Sequence, residues 1–178
     1  MQEKQKKNEI IDFIKTILIA IIVAFIITNF IIVNAVIPSG SMENTIMTKD
    51  RIVAFRFSYL LSNPERQNII ILDSPNPNEN KMYLKRIIGL PGETLNIIDG
   101  KVYINDSTTP LNEPYIKEEM LGNFGPYTIP KDHYFVMGDN RNNSIDSRYW
   151  ENSFVSKDKI LGKAIFRYYP KIDIIVNK

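Results

Sequence analysis

The chain has 178 residues and a formal net charge of +2, enough length for one folded domain and a membrane anchor. That charge gives little support to nucleic-acid binding, which normally uses a strongly basic surface. The absence of cysteine excludes disulfides and thiolate chemistry, and the single histidine excludes a metal site built from several histidines.

An apolar segment near the N-terminus is long enough to cross a bilayer. Residues 17–36 are interrupted only by Thr28, Asn29 and Asn34, and about twenty helical residues span the hydrocarbon core. We therefore predict a transmembrane anchor over residues 16–36. A buried helix of a soluble protein is disfavoured because this segment has no polar stripe.

The basic residues that flank the segment predict its orientation. They precede it at Lys4, Lys6, Lys7 and Lys15, whereas the first ones after it are Lys49 and Arg51. Basic residues remain on the cytoplasmic side of a membrane. We therefore expect residues 1–15 in the cytoplasm and residues 37–178 outside it as one domain.

A cleaved secretory signal is the alternative interpretation of the apolar segment. Val33-Asn34-Ala35 has small residues at the spacing of a cleavage site. The apolar run, however, exceeds the roughly 7–15 residues of a signal core, so an uncleaved anchor is favoured.

After Pro38 the sequence changes to short β-type runs separated by turn residues. Asp99-Gly100 lies between two such runs and indicates a two-residue hairpin. Residues 112–130 show little β pattern and predict an irregular cap or loop. We therefore predict a mainly β protein, in which a transmembrane helix precedes a mostly antiparallel domain with several small sheets. The predicted strands cover residues 52–55, 69–72, 82–88, 95–98, 101–104, 134–137 and 164–168.

Ser39-Gly40-Ser41 offers a serine nucleophile in a tight bend. A serine needs a base to take its proton and donors to bind the oxyanion that forms on attack. Ser41 is the candidate nucleophile, with its own N–H and the Ser39 hydroxyl as donors, and Gly40 allows the bend. Most such triplets are ordinary turns, so the motif needs support from elsewhere in the chain.

Lys85 is the candidate base. On a strand it shares a face with Tyr83 and Ile87, whereas Arg86 points the other way. An ordinary lysine, with a pKa of about 10.4, is neutral in only roughly one molecule in a few thousand at pH 7. Burial can lower that pKa to about 7–8, where a lysine acts as a general base.

Two other motifs offer alternative catalytic groups. A Ser-His-Asp triad would use His133, which lies just before a predicted strand and is more typical of a surface residue. Ser156-Lys157-Asp158-Lys159 matches the Ser-x-x-Lys pattern of penicillin-recognising enzymes but lacks their partner motifs. We interpret this match as coincidence.

Four segments after the apolar run carry a resemblance to a known family. They are Ser39-Gly40-Ser41-Met42, Asp50-Arg51-Ile52-Val53 with Arg56-Phe57, residues 83–93, and residues 138–148. In this order and approximate spacing they resemble the bacterial type I signal peptidases (leader peptidases), which use a Ser/Lys dyad. The last segment is the most specific, because an eleven-residue near-match rarely arises by chance.

The resemblance implies the catalytic roles. Ser41 would be the nucleophile and Lys85 the general base, and Ser144 would hydrogen-bond the lysine and orient it. The Ser39 hydroxyl and the Ser41 N–H would form the oxyanion hole. No metal or organic cofactor is implied.

Further residues take supporting roles by the same resemblance. Those that would brace the site are Asp146 and Arg148, with Asp139 supporting their loop. Those that would line shallow apolar pockets for small substrate side chains are Ile37, Pro38, Met42, Ile46, Tyr83 and Leu84. A small inserted β region is expected over about residues 96–130.

The sequence thus predicts a membrane-bound serine endopeptidase that removes N-terminal signal peptides from exported preproteins. Expected partners are those signal peptides, membrane lipid and the secretion machinery. Two alternatives remain open: a Ser/Lys processing protease dedicated to one partner, and a catalytically silent membrane-anchored paralogue. The chemistry requires the Ser41 hydroxyl to contact an uncharged Lys85 amine that is shielded from water.

Overall fold

The computed structural model describes residues 2–60 and 62–175 of the chain. It begins with helix α1 (Gln2–Ile26), which continues as a short π-helical segment (Ile27–Ile31). The part over Asn8–Ile31 is apolar, is not covered by the rest of the protein, and is long enough to cross a membrane. These properties match those predicted for an anchor, although the helix also includes residues 2–15.

Eleven strands follow in the described part of the chain. Their bounds are β1 (Ile32–Val36), β2 (Arg51–Phe55), β3 (Ile69–Asp73), β4 (Met82–Gly89), β5 (Thr94–Ile98), β6 (Lys101–Ile104), β7 (Phe124–Thr128), β8 (His133–Met137), β9 (Val155–Ser156), β10 (Ile160–Tyr169) and β11 (Asp173–Ile174). Short 3₁₀ turns cover Arg56–Tyr59, Arg141–Asn143 and Lys157–Lys159. All seven predicted strands are present, and the predicted mainly β, antiparallel fold is confirmed.

The C-terminal end of the predicted anchor is a strand and not a helix. Its last five residues form β1, which pairs antiparallel with β2, and Val33 is buried in the core. A run of apolar, β-branched residues fits a buried helix or a buried strand by pattern alone. The pairing with β2, which is a tertiary contact, decides where the helix ends.

The main sheet has eight antiparallel strands in the order β1-β2-β10-β3-β4-β8-β9, with β11 paired to β10. A second, three-stranded sheet in the order β6-β5-β7 forms the inserted region. The hairpin between β5 and β6 turns at Asp99 and Gly100, both with positive φ, as the sequence predicts.

Strand β7 shows that the prediction of an irregular cap over residues 112–130 was wrong for its last part. Phe124–Thr128 pairs with β5 along its free edge. Gly125 and Pro126 hide this strand in the sequence, because neither residue favours a strand interior. The hydrogen bonds offered by β5 outweigh that local preference.

Strand β4 is central and is buried on both faces from Leu84 to Gly89. Neither face is exposed over these residues, so the adjacent cations Lys85 and Arg86 both lie inside the protein, at 2% and 0% exposure. Each buried cation needs a partner of its own. The loop that follows β8, residues 138–148, supplies both partners.

Arg86 is held by a fully buried ion pair. Its Nε and Nη2 donate to the two carboxylate oxygens of Asp139 at 2.8 and 2.7 Å. The guanidinium also stacks on Tyr115, 3.7 Å from the ring centroid. The Thr45 hydroxyl donates to the same carboxylate. Asp139 thus ties β4 to the residues just after Ser41.

We expect Asp139→Asn to lower the free energy of unfolding by about 3–5 kcal/mol, because it leaves the Arg86 charge buried and uncompensated. The exposed Asp106→Asn is the matched control; its backbone has φ +57°, which asparagine also adopts. Thermal unfolding in detergent checks this prediction. Equal melting temperatures for the two variants would contradict it.

Candidate active site

Ser41 lies in a turn-rich loop between β1 and β2. Two buried side chains, Met42 at 0% and Ile46 at 1% exposure, hold this loop on the core. Asn140 binds it from the other side, since its N–H donates to the Ser41 carbonyl and its side chain donates to the Gly40 carbonyl, both at 3.0 Å. The serine loop is therefore fixed to the loop over residues 138–148.

Lys85 is a buried amine with one close hydrogen-bond acceptor. Its Nζ donates to Ser144 Oγ at 2.9 Å and lies 5.9 Å from the centroid of the Tyr83 ring. Burial lowers the pKa of Lys85 to about 8, against the attraction of Asp146, and the positive charge of Arg148 adds to the lowering. The amine is therefore neutral in an appreciable fraction of molecules near neutral pH.

Ser144 links the lysine to a buried carboxylate. Its single hydroxyl proton goes to Asp146 Oδ2 at 2.7 Å, so its oxygen faces Lys85 as an acceptor. Asp146 also accepts from the Gly138 N–H at 3.0 Å and from Arg148 Nε and Nη2 at 2.8 and 2.9 Å. Burial opposes ionisation of Asp146, but these hydrogen bonds and the Arg148 charge leave its pKa below the usual value.

The backbone of Ser41 lies close to Ser144, the hydrogen-bond partner of Lys85, but the Ser41 hydroxyl and the Lys85 amine are not hydrogen-bonded. Within the described residues no hydrogen bond joins them, so the expected direct contact is not made in this arrangement. Gly138 marks the proximity of the Ser41 backbone to Ser144, because a Cβ there would collide with both the Ser41 carbonyl oxygen and Ser144 Oγ. Only glycine fits between the serine loop and the lysine's partner.

Two candidate oxyanion donors remain available. Ser39 is exposed and Ser41 is half-buried. In the described part of the chain, neither the Ser41 N–H nor the Ser39 hydroxyl has a hydrogen-bond partner. Unpaired donors beside a candidate nucleophile are what an oxyanion requires.

A groove of about 470 Å³ begins at these serines. Five of the six predicted pocket residues line it, and they are Ile37, Pro38, Met42, Tyr83 and Leu84. Ile46 does not line the groove, because it packs into the core and borders a separate cavity. Its spacing from Ser41 resembles that of a pocket residue, but the turn after Met42 directs it inward.

The backbone around the groove offers unpaired strand edges. Strand β1 is the terminal strand of its sheet. Strand β4 pairs with β8 only over Arg86–Gly89, so among the described strands none pairs with Met82–Lys85 on that side. An extended peptide can hydrogen-bond to such edges.

The alternative catalytic groups lie elsewhere. His133 begins β8, and its Nδ1 is 2.8 Å from the Lys131 carbonyl oxygen. Ser156 pairs with His133 in the short strand β9, and neither residue lines the groove. A triad through His133 and a Ser-x-x-Lys site at Ser156 therefore lack support.

Several residues that shape the site were not assigned a role from the sequence. From the sequence, Arg86 is predicted only to lie on the face of β4 opposite Lys85. A cation on a strand face that is buried needs an acidic partner, so the pattern could have predicted one. Asn140 lies within the matched loop but was not singled out. The roles of Thr45 and Glu79 could not be predicted from the sequence. Their hydrogen bonds with Asp139 and Tyr83 depend on how the loops that carry Thr45 and Glu79 are folded.

These features define a candidate serine hydrolase in which a lysine replaces histidine, and comparison with known proteins identifies its family. The family model described as "Signal peptidase, peptidase S26" matches residues 10–169. The signal peptidase I of Leptolyngbya laminosa is 38% identical over 92% of this chain and 81% of its own length. The "Signal peptidase I P" of Bacillus subtilis subsp. natto is 38% identical over 95% of this chain and 94% of its own length. The crystal structure of a signal peptidase I from Enterococcus faecalis V583 is 34% identical, covering 57% of this chain and 97% of that one, with a TM-score of 0.48.

The chain therefore belongs to the signal peptidase S26 family, as a type I signal peptidase that removes signal peptides. It is a serine endopeptidase. Its N-terminal apolar helix fits a single-pass membrane anchor.

We expect Ser144→Ala to reduce kcat by about 10²-fold, the lower end of general-base effects, because Lys85 loses the acceptor that orients it. Ser147→Ala is the matched control. Ser147 is fully buried in the same loop, and its hydroxyl accepts from the Val136 N–H at 2.9 Å without touching Lys85. Preprotein cleavage by the full chain in detergent measures both; equal losses would mean that Ser144 acts only through loop stability.

Proposed function

We propose that this signal peptidase cleaves exported preproteins with Ser41 as nucleophile and Lys85 as general base. The buried amine of Lys85, held by Ser144 at 2.9 Å, is the observation that carries the proposal. An amine withdrawn from water and given one neutral acceptor is stabilised in its uncharged form. No structural stability is gained from such a lysine, which points to a chemical use.

The reaction follows from the positions of these groups. The Ser41 hydroxyl moves within about 2.6–3.2 Å of the lysine amine, which takes its proton as Ser41 Oγ bonds to the scissile carbonyl carbon. The Ser41 N–H and the Ser39 hydroxyl bind the oxyanion. Protonated Lys85 then gives its proton to the leaving amine, and the peptide bond breaks. The same lysine, neutral again, activates a water molecule that hydrolyses the acyl-enzyme.

The residues behind the lysine hold it and do not react. Ser144 accepts one Lys85 hydrogen, so the nitrogen lone pair of the neutral amine is directed elsewhere. Asp146 and Arg148 fix the Ser144 hydroxyl. Asp139 fixes the same loop through Arg86. This support lets a flexible lysine side chain keep one position.

The substrate segment before the cut is extended in this proposal. Its backbone pairs with the free edges of β1 and of Met82–Leu84, on opposite walls of the groove. Small side chains of the alanine type enter the apolar pockets beside Ile37, Met42 and Tyr83. Larger side chains are rejected because the groove floor, which includes the fully buried Met42, is closely packed.

The anchor sets where the reaction occurs. Strand β1 follows the apolar helix directly, and Ser41 lies ten positions after Ile31, a reach of at most about 35 Å. The basic residues in the N-terminal part of the helix favour an N-terminus in the cytoplasm and a catalytic domain outside. Membrane lipid surrounds the helix, and the secretion machinery delivers preproteins whose own apolar segments lie in the same bilayer.

We expect cleavage to increase with pH about tenfold per unit below pH 7 and to level off above about pH 9. The reason is that only neutral Lys85 accepts the serine proton, and burial lowers its pKa to about 8. The measurement is kcat/KM for a model preprotein between pH 6 and 10.5. A midpoint near 10 would mean that the lysine is not shielded.

We expect Ser41→Ala and Lys85→Met to abolish cleavage, as judged by N-terminal analysis of the product after incubation with a panel of unrelated preproteins. Lys85→Met should melt at or above the wild-type temperature at pH 7. Protonated Lys85 is disfavoured in the fold, and this cost disappears as the pH rises toward its unfolded pKa of 10.5.

That thermal measurement separates lost chemistry from lost folding. Cleavage that persists in either variant would contradict the assignment of the dyad. Cleavage of only one preprotein in the panel would favour a dedicated processing protease, and an inactive, folded wild-type chain would favour the silent paralogue.

A further inference from the structure

Glu79 lies in the loop between β3 and β4 and is saturated with hydrogen bonds. Its Oε2 accepts from the Tyr83 hydroxyl at 2.8 Å and from the Ser74 hydroxyl at 2.9 Å. Its Oε1 accepts from Lys81 Nζ at 2.7 Å. These bonds lower the pKa of Glu79 to about 2, so it is ionised throughout the physiological range.

Tyr83 connects Glu79 with the active site, because it contacts Glu79 through its hydroxyl and lies beside Lys85 through its ring. Its ring packs against Trp150 with 5.4 Å between centroids, and the Lys85 amine lies 5.9 Å from the same ring. Tyr83 also lines both the substrate groove and a second, open cavity of about 700 Å³. The ring is therefore the wall that these two cavities share beside the lysine.

We propose that Glu79 is a positioning residue for the cleavage reaction, which holds the Tyr83 ring against the Lys85 amine and so keeps water from the open cavity away from the base. The proposal rests on the proposed role of Lys85. Two contacts restrain the ring, a tilted packing contact with Trp150 and the hydrogen bond from its hydroxyl to Glu79. Without the hydrogen bond, the Trp150 contact alone holds the ring and leaves it free to turn away from the lysine.

The direction in which the pKa of Lys85 shifts when Glu79 is removed distinguishes two possible roles of Glu79. The charged groups that face Lys85 are Asp146, Arg148 and Asp139, and none of them contacts Glu79. Loss of the Glu79 negative charge, acting alone over distance, would lower the pKa of Lys85. Loss of shielding would raise it, because hydration favours the protonated amine. The direction of the shift therefore separates a positioning role from a purely electrostatic one.

The experiment measures pH profiles of kcat/KM for full-length variants in detergent with a model preprotein. We expect Glu79→Ala to move the midpoint about one unit higher and to reduce the rate at pH 7 about tenfold, with rates converging at high pH. Tyr83→Phe, which loses only the hydroxyl, should do the same. The double variant should match either single variant, because both remove one contact.

Two control variants separate the hydrogen bond to Tyr83 from the negative charge: the first removes the charge and keeps the bond, and the second removes a carboxylate that makes no such bond. Glu79→Gln keeps an oxygen that accepts from Tyr83 and Ser74, and its midpoint should stay within about 0.3 units of wild type. Glu151→Ala removes a carboxylate that lines the same open cavity but makes no hydrogen bond to Tyr83 in the described structure, and its profile should be unchanged.

The outcomes distinguish this proposal from the proposed function. If Lys85→Met is inactive and the wild-type midpoint is near 8, but Glu79→Ala leaves the midpoint in place or moves it lower, the positioning role is refuted. A shift in Glu79→Gln as large as in Glu79→Ala would also refute it. If Lys85→Met remains active, the catalytic assignment itself fails, whatever Glu79→Ala does.

Discussion

The contact on which the site depends is the hydrogen bond from the Lys85 amine to Ser144 inside the protein. Burial without a carboxylate as direct partner favours the neutral amine, at a cost of about 3 kcal/mol for a pKa that falls from 10.5 to about 8. The rest of the fold must supply this energy. It does so with a central strand that is buried on both faces from Leu84 to Gly89 and with the Tyr83 ring, whose centroid lies 5.9 Å from the amine.

Three buried ion pairs give the loop that carries Ser144 one shape. Arg86–Asp139, Arg148–Asp146 and Arg141–Glu113 join the loop over residues 138–148 to β4, to itself and to the inserted region. Buried ion pairs add little net stability, because desolvation cancels much of their attraction. Their contribution here is geometric: each carboxylate accepts paired hydrogen bonds from one guanidinium, which leaves few alternative arrangements for Ser144.

The groove and the anchor are parts of one chain path. The apolar helix leads directly into β1, β1 leads into the serine loop, and the free edge of β1 forms one wall of the groove. The opposite wall is the part of β4 that precedes Lys85, where β8 no longer pairs. In the function proposed above, a substrate strand lies along these edges and reaches Ser41 and Lys85 while its own apolar segment is in the membrane.

The local pattern of the sequence is enough to predict an apolar helix that fits an anchor and the β class of the domain. It also makes Ser41 and Lys85 the candidate nucleophile and base, because short motifs carry them and alternation along β4 separates Lys85 from Arg86. It misplaced Ile46, extended the anchor through β1 and missed β7, since strand pairing and inward turns are long-range effects that local pattern does not contain. The resemblance already pairs Ser144 with the lysine, but the hydrogen bond that fixes Ser144 to Asp146 and the one that joins Tyr83 to Glu79 are visible only in the folded protein. These contacts join residues from different strands and loops, so their geometry exists only after the chain has folded.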